Sequence, residues 1–213
     1  KSLENENNKL NTKITSLENA IEEFEEDAKV LDLSPSPPVV SNAKNISINS
    51  QLTEFENYIK SDANLSSKFK SFKRGGVEQS LKVSYSDMQR VIKEAKTYKG
   101  TRHVMGGLSH SGIDCSGLLY VSFQANGITN IPRTAQDFAR YGSVILNVNE
   151  IMAGDLVFFT NTYRTSKLVT HAGICIGNGE FIHTSSSKGV MISKINDPYY
   201  WRKHFLFGTR IIN

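Results

Sequence analysis

The spacing of apolar residues changes period once, near Gly142, and that change restricts the fold more than any other feature of the chain. Before it, the spacing is helical. Ser86-Asp87-Met88-Gln89 is a capping-box pattern, and Met88, Val91, Ile92 and Ala95 supply a buried stripe behind it. Ile113-Asp114-Cys115-Ser116-Gly117 opens into the apolar run Leu118, Leu119, Val121 and Phe123, with Asp114 placed as the cap and Gly127 as the stop. Ile131-Pro132-Arg133 leads into a shorter helix, Thr134 to Tyr141. Afterwards come Leu156–Phe159, Val169–Ile174, Glu180–Thr184, Val190–Ile192 and Phe205–Ile211, short strand-like runs divided by turn residues. Helices first and strands later, with short turns, predict an α+β domain built on an antiparallel sheet over residues 84–213.

Ahead of that domain the chain reads differently. Leu3, Leu10, Leu17, Phe24 and Leu31 recur every seven residues, and Asn7, Ile14, Ile21 and Ala28 interleave with them. With the second set at a and the first at d, residues 1–32 read as a coiled-coil-like helix and residues 3–31 as a homodimer seam. Pro35, Pro37 and Pro38 stop that helix, and residues 33–48 read as a Pro-rich linker. Residues 49–83 read as a helical connector, solvated and without an assigned role. The chain opens on Lys1-Ser2-Leu3, already inside the periodic pattern, which suggests a processed start.

The net charge of +4 hides an asymmetry: residues 1–32 hold four lysines and nine acidic residues, a net −5, leaving +9 for the remainder. A basic globular part suits an anionic polymer, but no aromatic-basic nucleic-acid motif accompanies it, so nucleic acid is not expected as a partner. No run of 18 or more apolar residues is present, so no spanning membrane helix is expected.

Two cysteines allow one disulfide, yet Cys115 sits at a helix entrance and Cys175 in a strand that reads as buried. One reactive and one packed thiol is the expectation. At a helix start the unpaired N–H groups and the macrodipole favour thiolate, which predicts a Cys115 pKa below the ordinary thiol value. His171 and His183 lie in neighbouring strand-like runs, and a nucleophile at a helix start facing two imidazoles is what a cysteine hydrolase needs. The two rings share a face only if the loop at Gly177-Asn178-Gly179 is odd in length or carries a bulge. His171 and His183 are twelve apart and far from Cys115, so neither metal-ligand spacing nor a cofactor is expected.

Six blocks in order carry a resemblance: Gly100–Gly107 (GTRHVMGG), Asp114-Cys115-Ser116-Gly117, Ile131-Pro132-Arg133-Thr134, Gly154–Phe159 (GDLVFF), His171–Gly177 (HAGICIG) and Phe181-Ile182-His183-Thr184. Together they resemble the NlpC-type cell-wall cysteine peptidases over roughly residues 87–213. The resemblance implies a papain-like fold and hydrolysis of amide bonds in peptidoglycan stem peptides, typically between D-γ-glutamyl and a diamino acid. It implies Cys115 as nucleophile, His171 as general base and His183 as the group orienting it. Asp114 and Ser116 correspond to residues that hold the free amino end of the stem peptide, with Thr134 assisting. His103 stands where the family usually has a tyrosine that lies over the thiol and donates to the reacting oxygen, and Ala153 stands where it usually has proline. Peptidoglycan as substrate places the chain in the bacterial cell envelope, secreted, periplasmic or lipid-anchored. The rival expectations are a catalytically inert wall-binding or scaffolding protein on the same fold, and an acyl or amide transferase using the same thioester.

Overall fold

The structure, a computed structural model, describes residues 49–81 and 83–212, which fall within a compact unit spanning residues 47–213. The heptad segment with its expected dimer seam, and the Pro-rich linker, lie outside the described residues.

Among the described residues five helices precede the main sheet: α1 (Asn49–Ile59), α2 (Ala63–Lys73), α3 (Tyr85–Thr97), α4 (Cys115–Gln124) and the one-turn α5 (Ala135–Phe138). A two-rung hairpin, β1 (Leu108–Ser109) and β2 (Gly112–Ile113), leads into α4. The cap of α3 is Ser84 rather than Ser86. Its Oγ accepts the Asp87 N–H at 3.1 Å and donates to Asp87 Oδ2 at 2.6 Å, so the box closes on an acid three residues on. Helix α5 starts one residue after the expected Thr134 because Thr134 is its cap, its hydroxyl accepting the Asp137 N–H, and it ends at Phe138 rather than Tyr141.

Six antiparallel strands follow: β3 (Ser143–Ile145), β4 (Leu156–Phe159), β5 (His171–Gly177), β6 (Glu180–Ser185), β7 (Gly189–Lys194) and β8 (Phe205–Arg210), with α6 (Trp201–His204) just before β8. Their order in the sheet is β3-β8-β4-β5-β6-β7. The two-residue period sorts side chains to two faces. Leu156, Phe158, Ala172, Ile174, Ile182 and Phe207 join the helical core with Met88, Leu118, Leu119 and Phe123. Val157, Phe159, Cys175 and Phe181 form a second cluster on the other face, covered by Trp201 and Phe205. Asp155 and Arg210 tie β4 to β8 through paired bonds, Nε to Oδ1 at 2.9 Å and Nη2 to Oδ2 at 2.7 Å.

The solvated character expected of residues 49–83 is not what the structure shows. Phe55, Ile59, Phe69 and Phe72 are buried in the helical core. Phe55 meets Phe69 edge-on at 4.8 Å and Phe207 of β8 at 5.7 Å. Leu65, Phe69 and Phe72 form a stripe of their own at helical spacing, and each fully buried phenyl contributes roughly 1.5–3 kcal/mol. Arg140 fastens the segment from outside, donating Nη1 to the carbonyls of Phe72 (2.6 Å) and Gly76 (2.8 Å).

The β5–β6 hairpin decides where the histidines point. Its turn is the two-residue Asn178-Gly179, both with positive φ (52° and 70°), closing on a Gly177–Glu180 rung. That turn alone would put His171 and His183 on opposite faces. A bulge between Cys175 and Gly177 adds the missing residue, giving Cys175–Phe181 and Ile174–Ile182 rungs. Carrying that register one step further brings Gly173 to His183, and His171 then lies diagonally beside His183 on the same face, 3.1 Å away between ring nitrogens.

Candidate active site

Cys115 is the first residue of α4, and Asp114 caps that helix by accepting the Gly117 N–H at 2.6 Å. Gly117 and Gly107 let the loop before the helix come close: a Cβ on Gly117 would stand 2.2 Å from the Gly107 carbonyl oxygen. The Thr184 hydroxyl of β6 donates to the Asp114 carbonyl at 3.3 Å, pinning the helix start to the sheet. The sulfur of Cys115 accepts from the Ala172 N–H, which sets it against the peptide that follows His171. Both cysteines are free; Cys175 is buried, whereas Cys115 keeps some accessible surface.

The thiol departs from the expected poised anion. Burial pushes Cys115 up to about 11, and the adjacent Asp114 charge adds to it. The N–H groups of Ala172, Ser116 and Cys115 offset only part of this. Desolvation therefore outweighs the helix terminus, an outcome set by burial that a linear sequence does not display.

His171 and His183 meet directly. His171 Nε2 lies 3.1 Å from His183 Nδ1, and His183 Nε2 lies 3.0 Å from Ser193 Oγ on β7. Trp201 stacks on His171 at 5.0 Å with rings inclined by 28°, and faces His183 edge-on at 4.7 Å. Burial holds His171 well below the ordinary imidazole value, aided by the charges of His183 and His103. Burial alone lowers His183 to about 4. Both rings are thus neutral at neutral pH. Since Nε2 of His171 is engaged, Nδ1 is the ring nitrogen left to serve the thiol.

The remaining expected residues divide. His103 is half-buried in a bridge to Ile113 and close enough to act on His171 electrostatically. Asp114 and Ser116 are together, Ser116 Oγ donating to Asp114 Oδ1 at 2.9 Å, but Arg133 already occupies their open side. Its Nη1 donates to Ser116 Oγ at 2.9 Å and its Nη2 lies 3.5 Å from Asp114 Oδ2. Burial would raise the Asp114 carboxyl, but the bonds from Gly117, Ser116 and Gly106 and the Arg133 charge hold it below the ordinary range. The Thr134 hydroxyl is spent on its own helix, donating to Asp137 Oδ2 at 2.6 Å. Sequence reasoning missed Ser193, Trp201, Arg133 and Tyr163. Trp201 and Tyr163 come from irregular or one-turn segments with no periodic signal. Ser193 reaches His183 only because β6 and β7 pair. Among the described residues no group of three or more His, Cys, Asp or Glu is arranged to hold a metal ion, and no helix is long and apolar enough to cross a membrane.

A model of the NlpC/P60 family matches residues 100–210. The chain is 35% identical over 124 residues to an Escherichia coli protein named murein DD-endopeptidase MepS/murein LD-carboxypeptidase, covering 58% of this chain and 63% of that one. It is 41% identical over 133 residues to the Bacillus subtilis bifunctional muramidase/DL-endopeptidase CwlT, covering 62% of this chain but 39% of the relative. Among solved structures, a Staphylococcus aureus protein described as similar to lipoprotein, NLP/P60 family, superposes with TM-score 0.53 at 31% identity, over 63% of this chain and 44% of that one. The chain therefore spans less than two thirds of the length of each of these relatives.

Proposed function

The chain belongs to the NlpC/P60 family and has its papain-like α+β fold, and from that premise we propose that it is a cysteine peptidase of peptidoglycan stem peptides, cutting the D-γ-glutamyl–diamino acid amide bond. The observation that carries this is the 3.1 Å His171–His183 contact beside a thiol held by the Ala172 N–H at a helix start. The names of the relatives, murein endopeptidase and DL-endopeptidase, supply the substrate class.

The reaction starts from a neutral pair. As Cys115 sulfur attacks the scissile carbonyl carbon, its proton passes to Nδ1 of His171 and the carbonyl becomes an oxyanion. The Cys115 N–H, without an intrahelical partner at this position, and His103 stabilise that oxygen. In this scheme His183 Nδ1 accepts the Nε2–H of His171 and its own Nε2–H donates to the Ser193 hydroxyl oxygen, fixing both tautomers and steadying the imidazolium. The proton then moves to the leaving amine as the C–N bond breaks, leaving a thioester. His171 next takes a proton from water, which attacks the thioester and releases the acid and the thiol. Ser116 and Asp114 receive the amino end of the stem peptide, sharing it with Arg133. Such a substrate places the protein in the bacterial cell envelope.

A digest of purified muropeptides with mass analysis tests the reading. The full chain should release products carrying new glutamyl and diamino-acid termini, and Cys115→Ala should release none. No cleavage by the unaltered chain would leave the inert wall-binding alternative, and equal cleavage by the variant would remove Cys115 from the chemistry.

A further inference from the structure

A cavity of about 620 Å³ lies outside the thiol–histidine cluster, between helix α2 and the loop joining β4 to β5. Asn64 and Lys68 form its helical wall, and Asn161, Tyr163, Arg164 and Thr165 its loop wall. No acidic side chain lines it among the described residues, so Lys68 and Arg164 give it an uncompensated positive lining. The amides of Asn64 and Asn161 and the hydroxyls of Tyr163 and Thr165 add neutral donors.

The cavity is built rather than incidental. Lys68 Nζ donates to Asn161 Oδ1 at 3.0 Å, bridging the two walls. The loop is braced at its base, where the Thr162 N–H and hydroxyl both reach Thr170 Oγ1, at 3.0 and 2.8 Å. Gln136 Oε1 accepts the Leu168 N–H at 2.9 Å from the other side. The same loop runs directly into His171, so its far end is the general base of the proposed reaction. Tyr163 is 51% exposed, and burial raises its phenol, with the charges of Cys115 and Asp114 adding to it. Helix α2 lies before the residues that the family model matches, so this wall stands outside the matched region.

We propose that this cavity is a carboxylate subsite, in which Lys68 and Arg164 hold a free carboxylate of the stem peptide while its scissile bond lies at Cys115. The assignment deepens the peptidase reading and rests on it. A γ-linked glutamyl residue leaves its α-carboxylate free, and a diamino acid carries another, so a stem peptide offers anionic groups within a few bonds of the scissile amide. Arg164 is exposed and Lys68 half-buried, so each cation contributes modestly, and their joint effect on affinity is about fivefold to tenfold.

Binding, rather than turnover, tests it. The full chain carrying Cys115→Ala is titrated by calorimetry with an alanyl-γ-D-glutamyl-diamino acid tripeptide, first with all carboxylates free and then with all amidated. The free acid should bind about fivefold to tenfold more tightly, and adding Lys68→Gln and Arg164→Gln should abolish the difference while leaving affinity for the amide unchanged. Arg164→Gln alone, which keeps the Lys68–Asn161 bridge, should remove part of it. Equal weakening of both peptides, an unchanged preference, or no binding of either peptide would overturn the assignment. So would loss of binding to a glycerol-phosphate oligomer in the variants with peptide affinity retained, which would give the cavity to a phosphate polymer. Failure of the unaltered chain to cleave muropeptides is read separately and leaves this ratio measurable.

Discussion

Replacing Gly173 by alanine should disable the site without touching any reacting group. Gly173 lies one step beyond the Ile174–Ile182 rung of the β5–β6 ladder, beside His183. A Cβ there would lie 2.6 Å from Phe181 Cδ2, 2.7 Å from the Ile182 carbonyl oxygen and 3.2 Å from His183 Cβ. The ring of Phe181 can turn, but the carbonyl is backbone, so relief to an ordinary 3.4 Å contact parts the strands by about 0.7 Å. Added to the 3.1 Å His171–His183 separation, this carries the pair to about 3.8 Å, beyond hydrogen-bond range. Overpacking of this kind costs about 1–3 kcal/mol, which a domain of ordinary stability survives. A base displaced by somewhat under an ångström lowers kcat by up to about a hundredfold. Urea unfolding and steady-state cleavage of a stem peptide, run on the same preparation, check both quantities. A stable Gly173→Ala variant with kcat within twofold of the parent would show that His183 does not need to hold His171.

Two further outcomes follow from the same coordinates. The free-enzyme profile of kcat/KM against pH should form a broad plateau: the base stays neutral down through the lowered His171 value, so activity falls only in acid, and the alkaline limb moves up toward the Cys115 value of about 11. A narrow bell centred near neutrality, or an alkaline limb near 8, would instead indicate a preformed thiolate–imidazolium pair. Phe72→Ala should cost about 3–5 kcal/mol in urea unfolding, because its side chain is buried and lies 6.4 Å from the Phe207 ring; a change below 1 kcal/mol would mean that α2 is dispensable to the domain.

Much of this architecture was legible from residue order. The switch of period at Gly142 announces helices followed by an antiparallel sheet, and the elements fall in that sequence apart from the short β1–β2 hairpin and the one-turn α6. Asp114 caps the Cys115 helix because a short carboxylate before an apolar run has few other uses. Even the bulge was foreseeable, since two histidines twelve residues apart share a face only with an added residue. The protonation of the thiol was not foreseeable, because the helix terminus and desolvation oppose each other and only packing says which prevails. Burial of α2 was hidden by lysines interleaved with Leu65, Phe69 and Phe72, which made an amphipathic stripe look like a solvated face. Trp201 reaches His171 across the sheet from a one-turn helix, a contact that exists only in three dimensions.

The central claim is that Cys115 forms the covalent bond to substrate. Mixing the full chain with a stem peptide, quenching in acid within milliseconds to seconds, and measuring intact and peptide-mapped mass should reveal one acyl group on the fragment containing Cys115. An acyl group on Cys175, or continued cleavage by Cys115→Ala, would contradict it.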